Sequence, residues 1–307
     1  MQIKTLDCFK LPEGLRIPFF SGRIYNFISK LERQYIKNLS VNGLSLNETP
    51  RDEKIIVSLT SFPARIDCVG YSIKSLFNQT VKPDRIILWL ATEQFENQEM
   101  PELLETLKSK GLEIRFCEDL KSHKKYHFAL KEQKPDELII TYDDDLIYPE
   151  NSIERLVKLH QKYPECVITN RAQAAAFENG EFLPYSNWKV RSSVGVKKPV
   201  SVLFPSTGGG ALYPYNAVNE EAFNVEKMKE IAFSADDLWM RFMSALNGTK
   251  IVKTVKNHKT FTVIDGSQTE SLQVENCIGG ANDKALSLLK QNYPQAFNNI
   301  FSDGKEN

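Results

Sequence analysis

Three consecutive carboxylates, Asp143, Asp144 and Asp145, follow the apolar run Leu138–Tyr142 in the segment T-Y-D-D-D-L-I-Y-P. Adjacent carboxylates repel one another. A hard divalent cation such as Mg2+ or Mn2+, which prefers oxygen ligands, removes that repulsion. Side chains alternate on an extended chain, so the pattern predicts Asp143 and Asp145 on one side and Asp144 on the other. An acidic turn capping the helix predicted over Asn151–Tyr163 would use the same residues without a metal. Asp236 and Asp237 form a second acidic pair in F-S-A-D-D-L-W-M. Ser234 and Asp237 fit a capping box at a helix start. The alternative is a general base held ionised by the helix dipole, in which Asp236 shares the work.

Other segments supply complementary groups. L-T-S-F-P-A-R places Thr60, Ser61 and Arg65 after an apolar run, where a small polar stretch and a guanidinium can hold a base and ribose. It has neither the G-x-G-x-x-G of a dinucleotide site nor a P-loop. In K-S-H-K-K-Y, Lys124 and Lys125 can neutralise a phosphate as point charges, or simply begin a solvated helix. His123 and His127 have the spacing of zinc ligands but lack the Glu of H-E-x-x-H. Gly208, Gly209 and Gly210 allow a backbone to approach a ligand closely. His258 gains interest only as a third metal ligand beside the carboxylates.

These residues sit on an alternating framework. Strands are predicted at Lys54–Thr60, Arg85–Leu90, Glu113–Phe116, Leu138–Tyr142 and Lys250–Val255, rich in Ile, Val and Leu. Helices are predicted at Val69–Asn78, Pro101–Lys110 and His123–Lys131, the second opened by Pro101 and closed by Gly111. Strand–helix alternation implies an α/β fold with a mainly parallel sheet, whose ligands bind beyond the carboxyl ends of the strands. The first 40 residues differ: seven basic and three acidic groups give a net of +4. There Ile24, Phe27, Ile28, Leu31 and Tyr35 recur at helical spacing. Such a helix either packs on the main domain or uses its charge, across residues 16–37, for peripheral contact with a membrane or a partner. Leu44–Asp52 reads as a linker.

The run V-S-L-T-S-F-P-A-R-I, then S-L-F-N-Q-T-V-K-P-D-R-I-I-L-W-L, S-H-K-K-Y, L-I-I-T-Y-D-D-D-L-I-Y-P and A-D-D resembles the GT-A fold of nucleotide-sugar glycosyltransferases, of the bacterial family 2-like kind. The resemblance spans roughly residues 54–260, and the aspartate triplet is its most specific part. It implies a Rossmann-like, mainly parallel central sheet flanked by helices; the basic amphipathic segment and linker at 1–50 lie outside it and read as a helical N-terminal extension. The catalytic domain would cover 51–270, nucleotide-binding over 51–150 and acceptor-binding over 151–270; the tail at 271–307, expected to be helical, also lies outside the resemblance. It implies Mn2+ or Mg2+ on Asp143, Asp145 and His258, with Asp145 the direct ligand and Asp144 toward the ribose or sugar. Thr60, Ser61 and Arg65 would meet the nucleoside, Lys124 or Lys125 the diphosphate, and Gly209 and Gly210 the donor side of the cleft. Asp237 matches the base of inverting members, although A-D-D replaces the family's E-D and leaves Asp236 a competitor. A UDP-sugar donor and a glycan or lipid-linked acceptor, in surface polysaccharide biosynthesis, follow by the same resemblance. A sugar nucleotidyltransferase is the rival enzyme, but the first loop lacks the glycine-rich phosphate segment it would need. A non-catalytic nucleotide-sugar binding protein is the other rival.

Composition sets the outer bounds. The 307 residues hold thirty-nine basic and thirty-nine acidic side chains, a net charge of zero, which argues against a nucleic-acid binder working through an overall field. Hydrophobic residues at 41% and charged at 25% suit an ordinary folded chain. No apolar run approaches the roughly 18 residues of a membrane span. Five scattered cysteines without C-x-x-C indicate neither a zinc ribbon nor a disulfide scaffold. With no apolar signal core at the N-terminus, the expected location is the cytoplasm, at the inner face of the cell membrane if the basic segment docks there.

Overall fold

The structure, a computed structural model, describes residues 18–96, 98–189, 192–256, 261–267 and 280–302. His258, Cys8, Cys277 and the first two residues of the basic segment 16–37 lie outside them. The chain opens with α1 (Pro18–Asn38), followed by β1 (Lys54–Thr60), α2 (Ile66–Phe77), β2 (Arg85–Ala91), α3 (Thr92–Phe95), α4 (Glu102–Lys108) and β3 (Leu112–Cys117). Next come α5 (Lys124–Lys131), β4 (Glu137–Tyr142), β5 (Leu146–Ile147), α6 (Ser152–His160), β6 (Val167–Thr169) and β7 (Ala172–Ala174). The remainder holds β8 (Phe177–Glu178), β9 (Glu181–Phe182), β10 (Leu203–Pro205), β11 (Gly209–Tyr213), α7 (Val225–Ala232), α8 (Asp236–Leu246), β12 (Ile251–Lys253), β13 (Thr262–Val263), α9 (Ala281–Asn292) and α10 (Pro294–Phe301).

Seven strands form the central sheet in the order β12-β6-β11-β4-β1-β2-β3. All neighbours are parallel except β11, which runs antiparallel to both β4 and β6. This is the mainly parallel α/β sheet, flanked by helices, that the alternation predicts. The predicted strand positions hold, and β12 is shorter than the expected Lys250–Val255. Apolar runs form β1, β2 and β4 because both of their faces are buried, whereas β3 at the sheet edge alternates with Glu113 and Arg115. On β1, Ile55, Val57 and Leu59 enter the core under α2, α4 and α6, while Ile56 enters the core under α5, α7 and α8.

The strand order β3-β2-β1-β4 reverses direction between β1 and β4. Chain connections leave that point to opposite sides and open a crevice at the carboxyl ends of the two strands. Thr60 and Tyr142 end those strands, so the loops carrying Arg65 and the acidic triplet face each other across it. Leu44–Asp52 is not a free linker. Leu44 is buried in the core, Asn47 N donates to the Pro83 carbonyl (2.8 Å), and Arg51 pairs with Asp84 (3.3 Å). The α1 helix packs on α2, β5 and β13. No helix among the described residues is long and apolar enough to cross a membrane.

Candidate functional site

After Tyr142 the chain leaves the strand and bends at Asp144 and Asp145. The bend breaks the alternation that would put Asp143 and Asp145 on one side, and it is Asp144 and Asp145 that meet one guanidinium. Asp144 accepts from Ser61 Oγ (2.6 Å) and from Arg65 Nη1 (2.9 Å). Asp145 Oδ2 meets the same Arg65 nitrogen at 3.1 Å. Asp143 turns the other way, to Lys125 Nζ at 2.6 Å. Burial raises the pKa of Asp144 although Arg65 and Ser61 oppose it. The Thr60 hydroxyl donates to the Trp89 carbonyl (2.8 Å), on the neighbouring strand, whereas Ser61 and Arg65 reach the triplet.

The two lysines part company. Lys124 pairs with Asp119 and stays apart from the triplet. Lys125, projecting from the first turn of α5, sits between Asp143 and Asp236, the latter at 2.9 Å. Burial works against its charge, but the carboxylates of Asp143, Asp236 and Asp237 outweigh it and hold the ammonium well above the ordinary lysine range. His123, two residues before it, is fully buried: its Nε2 donates to the Ala232 carbonyl (3.0 Å), and Nδ1 accepts from the Tyr126 hydroxyl. Burial pushes this imidazole down to about 4, so it is neutral and belongs to the packing. His127 is likewise pushed down to about 4 by burial.

Asp236 and Asp237 open α8, but the capping box does not form. The cap residue is Ala235, without a side-chain cap bond. The aspartates serve another element. Asp237 Oδ1 accepts from the Thr207 backbone N–H at 2.7 Å. The Thr207 hydroxyl lies 2.7 Å from both Asp237 Oδ1 and Asp236 Oδ2. One hydroxyl proton cannot serve both oxygens at once, so the three share a short polar chain. Asp236, against Lys125, is held well below the ordinary carboxylate range; burial opposes this but Lys125 prevails. Asp237 moves the opposite way, raised by burial and by the neighbouring Asp236 charge. A helix N-terminus favours the ionised form, but burial and the like charge of Asp236 act in the opposite direction and raise it.

The glycine segment makes these approaches possible. A Cβ at Gly208 would stand 1.6 Å from Asp143 Oδ2, so no other residue leaves the Asp143 carboxylate where it is. Gly210 has φ +88°, with the Tyr142 ring and the Asn170 amide 2.9 Å from the place of its missing Cβ. Gly209 pairs with Tyr142 at the end of β4, next to a register shift. Two positioning groups escape sequence reasoning. Thr207 is fully buried and held by Thr141 Oγ1, which donates to its carbonyl (2.6 Å). Tyr148 donates to the Gly208 carbonyl (2.7 Å) and accepts from Asp143 N (2.9 Å). Only their places, before a glycine run and after an acidic run, hint at either role.

The oxygen donors suit a hard divalent cation. The Asp143 side chain is 38% exposed and Asp145 is 15% exposed, so both carboxylates retain some access to solvent. Among the described residues no three His, Cys, Asp or Glu side chains form a ready-made cage. Mg2+-type sites ordinarily use one or two carboxylates and complete their shell with water and substrate phosphate.

No protein-family profile matches the chain, and no curated protein matches it in sequence. Among solved structures, the mannosyltransferase PcManGT from Pyrobaculum calidifontis, in complex with GDP-Man and Mn2+, has a TM-score of 0.44 at 11% identity, over 92% of this chain and 83% of that one. TarS 1-349 of S. aureus has a TM-score of 0.42 at 14% identity, over 83% and 73%. A 4-diphosphocytidyl-2C-methyl-D-erythritol synthase from Anaerococcus prevotii has a TM-score of 0.41 at 11% identity, over 76% and 96%.

Proposed function

We propose that this chain is a metal-dependent, inverting glycosyltransferase that moves a sugar from a nucleoside diphosphate, UDP by the resemblance of its motifs, to a hydroxyl of a glycan or lipid-linked acceptor in surface polysaccharide assembly. The observation that carries the reading is Lys125, which joins the acidic loop after β4 to the acidic start of α8 beside the β1/β4 crevice. In this reading residues 51–270 are the catalytic domain, 51–150 for the nucleotide and 151–270 for the acceptor, and 271–307 is the tail.

Ser61, Arg65 and Asp144 form the nucleoside wall, where Asp144 is already oriented by two donors. Asp143 and Asp145 would hold Mn2+ or Mg2+, which would offset charge developing on the leaving diphosphate. Lys125 pairs with Asp143 and adds fixed positive charge to the same region. Asp237 takes the proton from the acceptor hydroxyl as that oxygen attacks the anomeric carbon and the bond to the diphosphate breaks. Its raised pKa suits a base near neutral pH, since proton-transfer efficiency peaks when the two match. Asp236 and Thr207 position it.

A thermal-shift panel tests the reading. Nucleoside diphosphates and their sugars should raise the melting temperature in the presence of Mn2+ and much less in its absence, because ligand binding to the native state alone is stabilising. Stabilisation by nucleoside triphosphates and by no diphosphate sugar would instead favour nucleotidyl transfer. Release of nucleoside diphosphate from the active donor then distinguishes an enzyme from a binding protein.

A further inference from the structure

Phe27, Leu31 and Tyr35 are 63%, 41% and 39% exposed. They recur every four residues and so form one stripe along α1. Five large hydrophobic side chains are exposed among the described residues, and these are three of them. Singly scattered apolar residues need no explanation, but an aligned stripe does. The opposite face of α1 is already engaged. Ser29 and Ile36 are buried, and Thr262 Oγ1 donates to Ser29 Oγ (3.1 Å). Arg33 donates to the Val263 carbonyl (3.3 Å) and pairs with Asp265 (3.0 Å), and Tyr25 donates to the Phe261 carbonyl (3.1 Å). The helix cannot roll its stripe inward without breaking all of these.

Charge selects what covers the stripe. Lys30 and Lys37 are exposed and lie seven residues apart, two turns along one line beside it. Lys37 is only loosely paired, 3.8 Å from Asp265. The α1 sequence carries Arg23, Lys30, Arg33 and Lys37 against Glu32. A second copy docking on this face would bring like charge to like, whereas an anionic lipid surface brings the opposite sign. Tyr35 closes the stripe against the protein, its hydroxyl donating to Glu150 (3.2 Å) and accepting from Asn78 (3.3 Å). We infer that α1 lies in the plane of an anionic bilayer surface, with Phe27 and Leu31 entering the headgroup boundary and Lys30 and Lys37 facing lipid phosphate. Such a helix rests on the membrane and does not span it. This inference stands apart from the reaction proposed above. It also has a geometric consequence: β13 pairs with β5, and Ile264 N donates to the Asp145 carbonyl (2.9 Å), so docking α1 orients the acidic loop relative to the surface.

Co-sedimentation of the full chain with vesicles tests it, using phosphatidylcholine alone and phosphatidylcholine mixed with phosphatidylglycerol. The chain should pellet with the mixed vesicles, release as salt rises, and stay in the supernatant with neutral ones. Lys30→Gln and Lys37→Gln should each weaken binding about fivefold. Phe27→Ser with Leu31→Ser should weaken it on the order of tenfold or more. Both replaced apolar side chains are exposed, so the melting temperature should be unchanged. Failure of the wild-type chain to pellet with anionic vesicles, or equal pelleting of the double variant, overturns the inference. So does a dimer in light scattering that the double variant converts to monomer without any vesicle binding, because the stripe is then a subunit interface.

Discussion

Lys125 Nζ stands 2.6 Å from Asp143 Oδ1, and the same ammonium reaches Asp236 at 2.9 Å. One side chain on α5 therefore links the loop after β4 to the first turn of α8. Its removal leaves the largely buried Asp236 and the more open Asp143 without their counter-ion. Lys125→Met should lower stability by about 3 kcal/mol. Donor affinity should fall as well. Denaturant melts and calorimetry check both, and a variant as stable as the parent would show that the pairs contribute nothing net.

Asp237→Asn should retain donor binding and lose about 10²- to 10⁴-fold in transfer rate, the range for general-base assistance. Titration of donor followed by turnover measurements separates the two effects. Normal turnover in this variant would remove Asp237 from the base position.

The pH dependence has a defined sign. Burial and Asp236 raise the Asp237 pKa, so the carboxyl is protonated below that raised value and the base is lost as pH falls. The kcat/KM profile should have an acidic limb there. Asp236→Asn removes the neighbouring charge, and the limb should move to lower pH. The folded chain also holds this proton more tightly than the unfolded one. Asp237 therefore contributes a loss of stability as pH rises from the ordinary carboxyl range through its raised value. Asp237→Asn should abolish that contribution in melts taken across the same range.

Gly208→Ala introduces a Cβ where Asp143 Oδ2 now lies. The carboxylate must swing away from Lys125. The expected result is a cost of about 1–3 kcal/mol, as for other overpacked sites. A larger relative loss of metal-dependent donor affinity should accompany it. Unchanged affinity with Mn2+ would mean that Asp143 does not need its present position.

Asp145→Ala should abolish the Mn2+-dependent part of donor binding, and chelation of the wild-type chain should reproduce that loss. Calorimetry with and without the cation reads this directly. Equal affinities for donor in all three conditions would take Asp145 out of the metal site.

Much of the framework was legible from residues alone. Short apolar runs separated by helical segments point to buried strands, and the strands at 54–60, 85–91 and 137–142 follow from that local rule, while 112–117 shows the alternation of an edge strand with Glu113 and Arg115 on one side. The acidic triplet, the acidic pair and the glycine run were visible as chemistry because charge repulsion and missing side chains are properties of sequence. Their partners were not. Lys124 and Lys125 are neighbours with the same charge, and only the orientation of α5 against the sheet sends one to Asp119 and the other to Asp143 and Asp236. Ser234 and Asp237 satisfied the spacing of a helix cap, yet the β11 approach delivers Thr207 to Asp237 instead. The Asp237 pKa runs against the helix dipole for the same reason: the dipole is local, but burial and the Asp236–Lys125 balance arise from packing. Periodicity likewise showed that α1 has an apolar side, and the packed Arg33 and Thr262 contacts decided which apolar side chains remain in solvent. Secondary structure and charge pattern are set by neighbours along the chain, while partner choice and desolvation depend on which distant segments the sheet brings within a few ångströms.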